Sequence, residues 1–199
     1  MAKPSTFGNM VLSLSIICLV CSALLGVVYS ITKDPIAAVE ARKVNDAIAA
    51  VLPQFDSTEY SEDGESQIYI AKSGDGIVGY AIKVKTSGFG GSLQMMVGFQ
   101  PDGTIYNTSV ISHSETPGLG AKISDEGSAP RAGVRGKNAA TANLTVSKDG
   151  GDIDAITAST ITSRAFLKGV NAAYDVFKKI APAPVEEQGE VTSNTEENE

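Results

Sequence analysis

The chain has 199 residues, with 16 Lys and Arg against 23 Asp and Glu, a formal net charge of −7, and 42% apolar residues without a single Trp. Six of the acids (Glu186, Glu187, Glu190, Glu196, Glu197 and Glu199) lie in residues 182–199, and nothing upstream resembles the basic face that binding a phosphate backbone demands, so nucleic acid is not an expected partner. The apolar content is too high for general disorder, and what remains between the two ends is the size of one domain.

Residues 1–10 read as a short N-terminal tail. From Val11 to Ser30 the chain carries no charge. At about 1.5 Å per residue such a run spans the roughly 30 Å hydrocarbon layer, so residues 11–31 are expected to form one transmembrane helix. A cleavable signal would want a shorter apolar core and a small-x-small site, which favours a retained anchor. Val20 before Cys21 argues against lipidation at that cysteine. Cys18 and Cys21 are spaced as C-x-x-C inside this apolar run, where they read as small apolar side chains rather than a redox pair. The rest of the chain has no thiol and one histidine, His113, which excludes a cysteine-ligated cluster, a disulfide framework and a multi-histidine metal site. Lys33, Arg42 and Lys43 after the run, against Lys3 before it, give a slight charge bias towards a cytoplasmic domain.

A soluble domain is expected over residues 34–181. Asp34-Pro35 is a good helix start, and Ile36, Val39, Val44, Ala47, Ile48, Val51 and Leu52 recur at helical spacing until Pro53. Strands are expected at 67–71, 77–85, 93–99 and 104–111, paired as two hairpins about Ser73-Gly74-Asp75-Gly76 and Pro101-Asp102-Gly103. Beyond residue 112 about thirty residues rich in Gly, Ser and Pro form a connection long enough to read as a functional loop. Short strands are expected at 144–147 and 153–156. A final amphipathic helix from Ser163 carries Phe166, Leu167, Val170, Ala173, Tyr174, Phe177 and Ile180, with Lys178 and Lys179 near its C-terminus. The acidic segment 182–199 reads as a disordered tail. The fold class is therefore α+β, an N-terminal transmembrane helix followed by one domain with an antiparallel sheet and flanking helices.

Two segments carry candidate chemistry. In the second, residues 154–163, Thr157, Ser159, Thr160, Thr162 and Ser163 crowd the passage from a strand into the last helix. Free helix amides and hydroxyls converging there favour an anion, above all a phosphate, although a Ser or Thr N-cap alone explains part of the pattern. The first segment, residues 112–122, holds a Gly118-Leu119-Gly120 turn whose glycines let the backbone approach a flat ligand.

Together, Glu115-Thr116-Pro117-Gly118-Leu119-Gly120 and Asp154-Ala155-Ile156-Thr157-Ala158-Ser159-Thr160 resemble the FMN-binding subunits of membrane redox complexes: the G subunit of the Rnf-type electron transport complex, and the related C subunit of the sodium-pumping NADH:quinone reductase. The family signature is Asp-x-x-Ser/Thr-Gly-Ala-Thr, and this chain has Ala158-Ser159 where Gly-Ala is usual. The resemblance covers the anchor and essentially the whole domain, with a length closer to that of the Rnf-type G subunit. It implies an FMN joined through its phosphate to Thr160 by a flavin transferase. It also implies candidate cofactor contacts from Glu115, Thr116, Leu119, Gly120, Lys122, Thr157, Ser159, Thr162 and Ser163; Lys122 is placed to stabilise an anionic reduced flavin, or else is a solvated surface charge. It further implies partner subunits in a membrane complex moving electrons between ferredoxin and NAD with Na⁺ or H⁺ transport, and a domain outside the cytoplasm. A flavin-carrying sensory membrane protein and an anchored binding module without cofactor remain alternatives at this level.

Overall fold

A computed structural model describes residues 7–74 and 76–181. The expectation of a disordered acidic tail, and the charge of Lys3, fall outside these residues. Among them the chain forms two compact units, divided between Asp46 and Ala47.

The first helix, α1, is Phe7–Val51, a single run of 45 residues that is long and apolar enough to cross a membrane. It continues through Pro35 without a break, so the helix start expected at Asp34 is not a boundary. Proline deletes one i→i−4 hydrogen bond, but good helix formers follow at once, with Ala37, Ala38, Glu40 and Ala41.

The second unit is an antiparallel meander of five strands in the order β1-β2-β3-β4-β5, namely Ser57–Asp63, Ser66–Ser73, Gly76–Ser87, Ser92–Phe99 and Ile105–His113. The four strands expected from sequence are present, and the two anticipated hairpins join β2 to β3 and β4 to β5. Strand β1 was not legible. Six of its seven residues are exposed, so it has no apolar alternation, and only its pairing with β2, centred on Tyr60 opposite Tyr69, keeps it extended. Its Glu59, Glu62 and Asp63 place charge on an edge strand, a usual defence against edge-to-edge association.

One face of the sheet is covered by α3, Thr160–Ile180. Alternation along β3 and β4 aims Tyr80, Ile82, Val84, Leu93, Met95, Val97 and Phe99 at Phe166, Val170, Ala173 and Phe177 of that helix. The Phe177 ring meets Tyr80 edge-on at 5.3 Å and Phe99 at 5.0 Å. Gly169 allows the close approach, since a β-carbon there would stand 2.5 Å from the Met95 sulfur. The opposite face holds Gly79 and Gly98, a notch that receives Val51 and Leu52 from the end of α1.

The long connection after β5 is not structureless. It contains a 3-10 turn, Gly120–Ser124, and a short helix α2, Ala129–Val134. The strands expected at 144–147 and 153–156 reduce to one parallel bridge, Val146 to Ile153, around a second 3-10 turn at Ser147–Asp149. Two glycines and two aspartates in 149–152 favour turns, and too few residues remain for a ladder.

Candidate functional site

Helix α3 begins at Thr160, three residues before the start read from sequence, so Thr160, Ile161 and Thr162 form its first turn. The entry is tightly locked. The Ser159 amide bonds the Ile156 carbonyl at 2.9 Å, while the Ser163 hydroxyl accepts from the Ile156 amide and donates to the Ser159 carbonyl, each at 3.0 Å. Ala158 adopts a left-handed conformation, φ 62°, the one positive-φ residue other than glycine among those described. That is the position where the resembled signature carries Gly, and the backbone explains why Gly is suited to it. The first helical bond runs from the Ser163 amide to the Ser159 carbonyl. The amides of Thr160, Ile161 and Thr162 therefore point out of the helix end, with no partner among the described residues.

Against this helix end lies the loop after β5. Glu115 is 5% exposed, its amide donates to His113 Nδ1 at 3.2 Å, and its Oε2 accepts the Thr162 hydroxyl at 2.6 Å. Its Oε1 accepts the Gly90 amide at 3.3 Å from the turn between β3 and β4. Three segments far apart in sequence are thus joined at one carboxylate. The loop then turns on Gly118, φ 77°, with the Leu119 and Ala121 amides bonding the Thr116 carbonyl.

These segments enclose a cavity of about 390 Å³ lined by Phe89, Glu115, Thr116, Leu119, Gly120 and residues 158–162. The sequence-derived residues Glu115, Thr116, Leu119, Gly120, Ser159, Thr160 and Thr162 all border it. Thr157, Lys122 and Ser163 do not. Ser163 is fully buried and occupied in the backbone lock, Thr157 is exposed in the turn before the helix, and Lys122 lies on the 3-10 turn outside the cavity. Phe89, Ala158 and Ile161 were missed. Phe89, an aromatic alone between Gly88 and Gly90 in a turn, was the available signal.

Phe89, Leu119 and Ile161 are 68%, 46% and 52% exposed, so apolar surface from three segments gathers at this cavity. Behind the loop, Arg131 of α2 is buried, and its guanidinium donates to the Ser124 carbonyl at 2.5 Å and to the carbonyl of Thr108 in β5. Burial pushes its pKa below the ordinary arginine value. On α3, Arg164 forms two 2.7 Å bonds to Asp149, which hold the Asp149 carboxyl below its usual range and tie the 147–149 turn to the helix.

A cavity that sets the first-turn amides of a helix beside an apolar, glycine-bounded wall suits the class of domain that binds an anionic planar cofactor. Comparison with known proteins gives that class a name: residues 88–175 match the FMN-binding domain, and residues 7–51 match the RnfG N-terminal region. The G subunit of the proton-translocating ferredoxin:NAD(+) oxidoreductase complex of Clostridium ljungdahlii is 34% identical, over 82% of this chain and 87% of that protein. The G subunits of the ion-translocating oxidoreductase complexes of Haemophilus influenzae and Methanosarcina acetivorans are 34% and 29% identical, over 77% and 88% of this chain and 82% and 96% of theirs. The chain belongs to the G-subunit family of Rnf-type ion-translocating oxidoreductase complexes. The residues present are compatible with FMN: helix-end amides of the kind that receive a phosphate lie beside the same cavity as the exposed apolar surface of Phe89, Leu119 and Ile161.

Proposed function

We propose that the protein is the electron-transfer G subunit of a membrane-bound, ion-translocating ferredoxin:NAD oxidoreductase, carrying one FMN attached through its phosphate to Thr160. The observation that carries the reading is the position of Thr160. It opens α3 and borders the cavity, preceded by the left-handed Ala158 and followed by the free amides of the first turn. An oxygen of Thr160 in this place joins a phosphate to a helix end whose partial positive charge stabilises it. Bound FMN supplies the chemistry, since it exchanges electrons singly or in pairs.

The chain's own residues bind and orient. Ser159 and the first-turn amides hold the phosphate end, Thr116 and Gly120 shape the loop wall, and Phe89, Leu119 and Ile161 cover the ring and limit water. Lys122 and Thr157 lie outside this wall, and Ser163 acts by fixing the turn. The protein is not a complete enzyme by itself. Its partners are the other membrane subunits of the complex, and a flavin transferase loads Thr160. Helix α1 anchors it, and the domain lies on the extracytoplasmic side, where a covalent bond prevents loss of the cofactor.

Intact mass of the protein purified from its native host tests the attachment. The expected value is the polypeptide plus one FMN less one water, with the added mass on the peptide containing Thr160. A colourless protein of unmodified mass defeats the reading.

A further inference from the structure

The Glu115 carboxylate is the group in the cavity wall that bracing alone does not explain. It is buried, its acceptors are filled by a hydroxyl and a backbone amide, and among the described residues no Lys or Arg pairs with it. A buried carboxylate held by neutral donors is costly unless positive potential meets it. Here that potential comes from the N-terminal end of α3, whose first turn contains the hydrogen-bonding Thr162. Space for the charge is reserved on both sides: a β-carbon at Gly88 would lie 2.0 Å from Oε1, and one at Gly120 2.5 Å from Oε2. A neutral side chain would bridge the same segments without the desolvation cost.

We propose that Glu115 sets the reduction potential of the cofactor in this cavity, its fixed negative charge opposing each electron that the ring receives and so holding the potential low. The inference rests on the reading that the cavity holds FMN. Glu115 is neither oxidised nor reduced in this role. In a titration the electrons come from dithionite and the accompanying protons from buffer. The effect acts through the field of a carboxylate that is itself 5% exposed, where solvent screens it less than at the surface.

The test is a dithionite titration of the full-length, flavin-loaded protein in detergent against a reference dye. Glu115→Gln keeps the shape and removes the charge, and its midpoint is expected above that of the wild type. At the wild-type midpoint the variant should be at least tenfold reduced over oxidised, which is about 30 mV for a two-electron couple. Thr162→Val removes the hydroxyl that partly neutralises the carboxylate, and its midpoint is expected below the wild type. Opposite signs from two neighbouring changes are what a charge predicts and what general loosening of the wall does not. An unchanged or lower midpoint in Glu115→Gln, or shifts of the same sign in both, overturns the proposal. Should Glu115→Gln fail to load, Thr162→Val decides alone: a lower midpoint supports the proposal, an unchanged or higher one overturns it. Wild-type protein without flavin defeats the FMN reading instead, and the two failures are distinct.

Discussion

Gly98 faces the carbonyl of Val51 so closely that a β-carbon on it would lie 1.7 Å from the carbonyl oxygen. The obstacle is backbone, which cannot rotate aside, and the strand carrying Gly98 is paired on both sides in the sheet. Gly98→Ala is therefore expected to destabilise the domain by about 1 to 3 kcal/mol or more through overpacking. Urea unfolding of the full chain in detergent, followed by circular dichroism, reads it, and a midpoint equal to wild type would refute the notch.

Ala158 should respond in the opposite direction. Its left-handed backbone costs about 1–2 kcal/mol for a residue with a β-carbon, whereas glycine adds about 0.4–1 kcal/mol of unfolded-state entropy. Ala158→Gly is thus expected to stabilise by up to about 1 kcal/mol, visible as a higher Tm. A clear fall in Tm would show that the methyl group makes a contact worth more than the strain.

Thr160 and Thr162 lie two residues apart with different surroundings. Thr160→Ala is expected to abolish covalent flavin, leaving a band dark under ultraviolet light in a denaturing gel. Thr162→Ala should stay bright or merely dim, because it removes one hydrogen bond to a charged acceptor, about 1.5–3 kcal/mol, rather than the proposed attachment point. Fluorescence persisting in Thr160→Ala would overturn the proposed attachment at Thr160.

The Asp149–Arg164 pair gives a pH dependence of known sign. The folded carboxyl of Asp149 is held below its unfolded value, first by the hydrogen bond from Arg164. Its contribution is therefore present above the unfolded carboxylate pKa of about 3.9 and lost as pH falls through the lower folded value. Asp149→Asn should lower Tm at neutral pH and converge on wild type in strong acid. The pair is exposed, so the difference is small, and a gap that widens on acidification would reverse the assignment.

The extent to which the fold was legible follows burial. Strands β3 and β4 have one face in the core and declare themselves by alternation, as does α3 by its stripe of Phe166, Val170 and Phe177. Strand β1 has no buried face and left no pattern. Asp34-Pro35 misled because a capping acid followed by proline is a local signature of a helix start, which the helix formers on both sides override. At the site, the two motifs located the loop and helix walls, but the third wall, Phe89, lies in a turn whose tie to Glu115 through Gly90 spans 25 residues. Arg131 was invisible for the same reason: it acts by bridging Thr108 and Ser124, positions that no local pattern connects to it.

The hydrogen bond from Thr162 to Glu115 closes a span of 47 residues. Contacts so distant in sequence form late, because loop closure must be achieved before they reward it. During synthesis Thr160 emerges after both of the other walls, and until α3 has docked on the sheet it is one hydroxyl on an open strand of chain. The completed cavity is therefore a record that the domain has finished folding. The three segments that wall the cavity, around Phe89, Glu115 and Thr160, thus meet only in the folded domain.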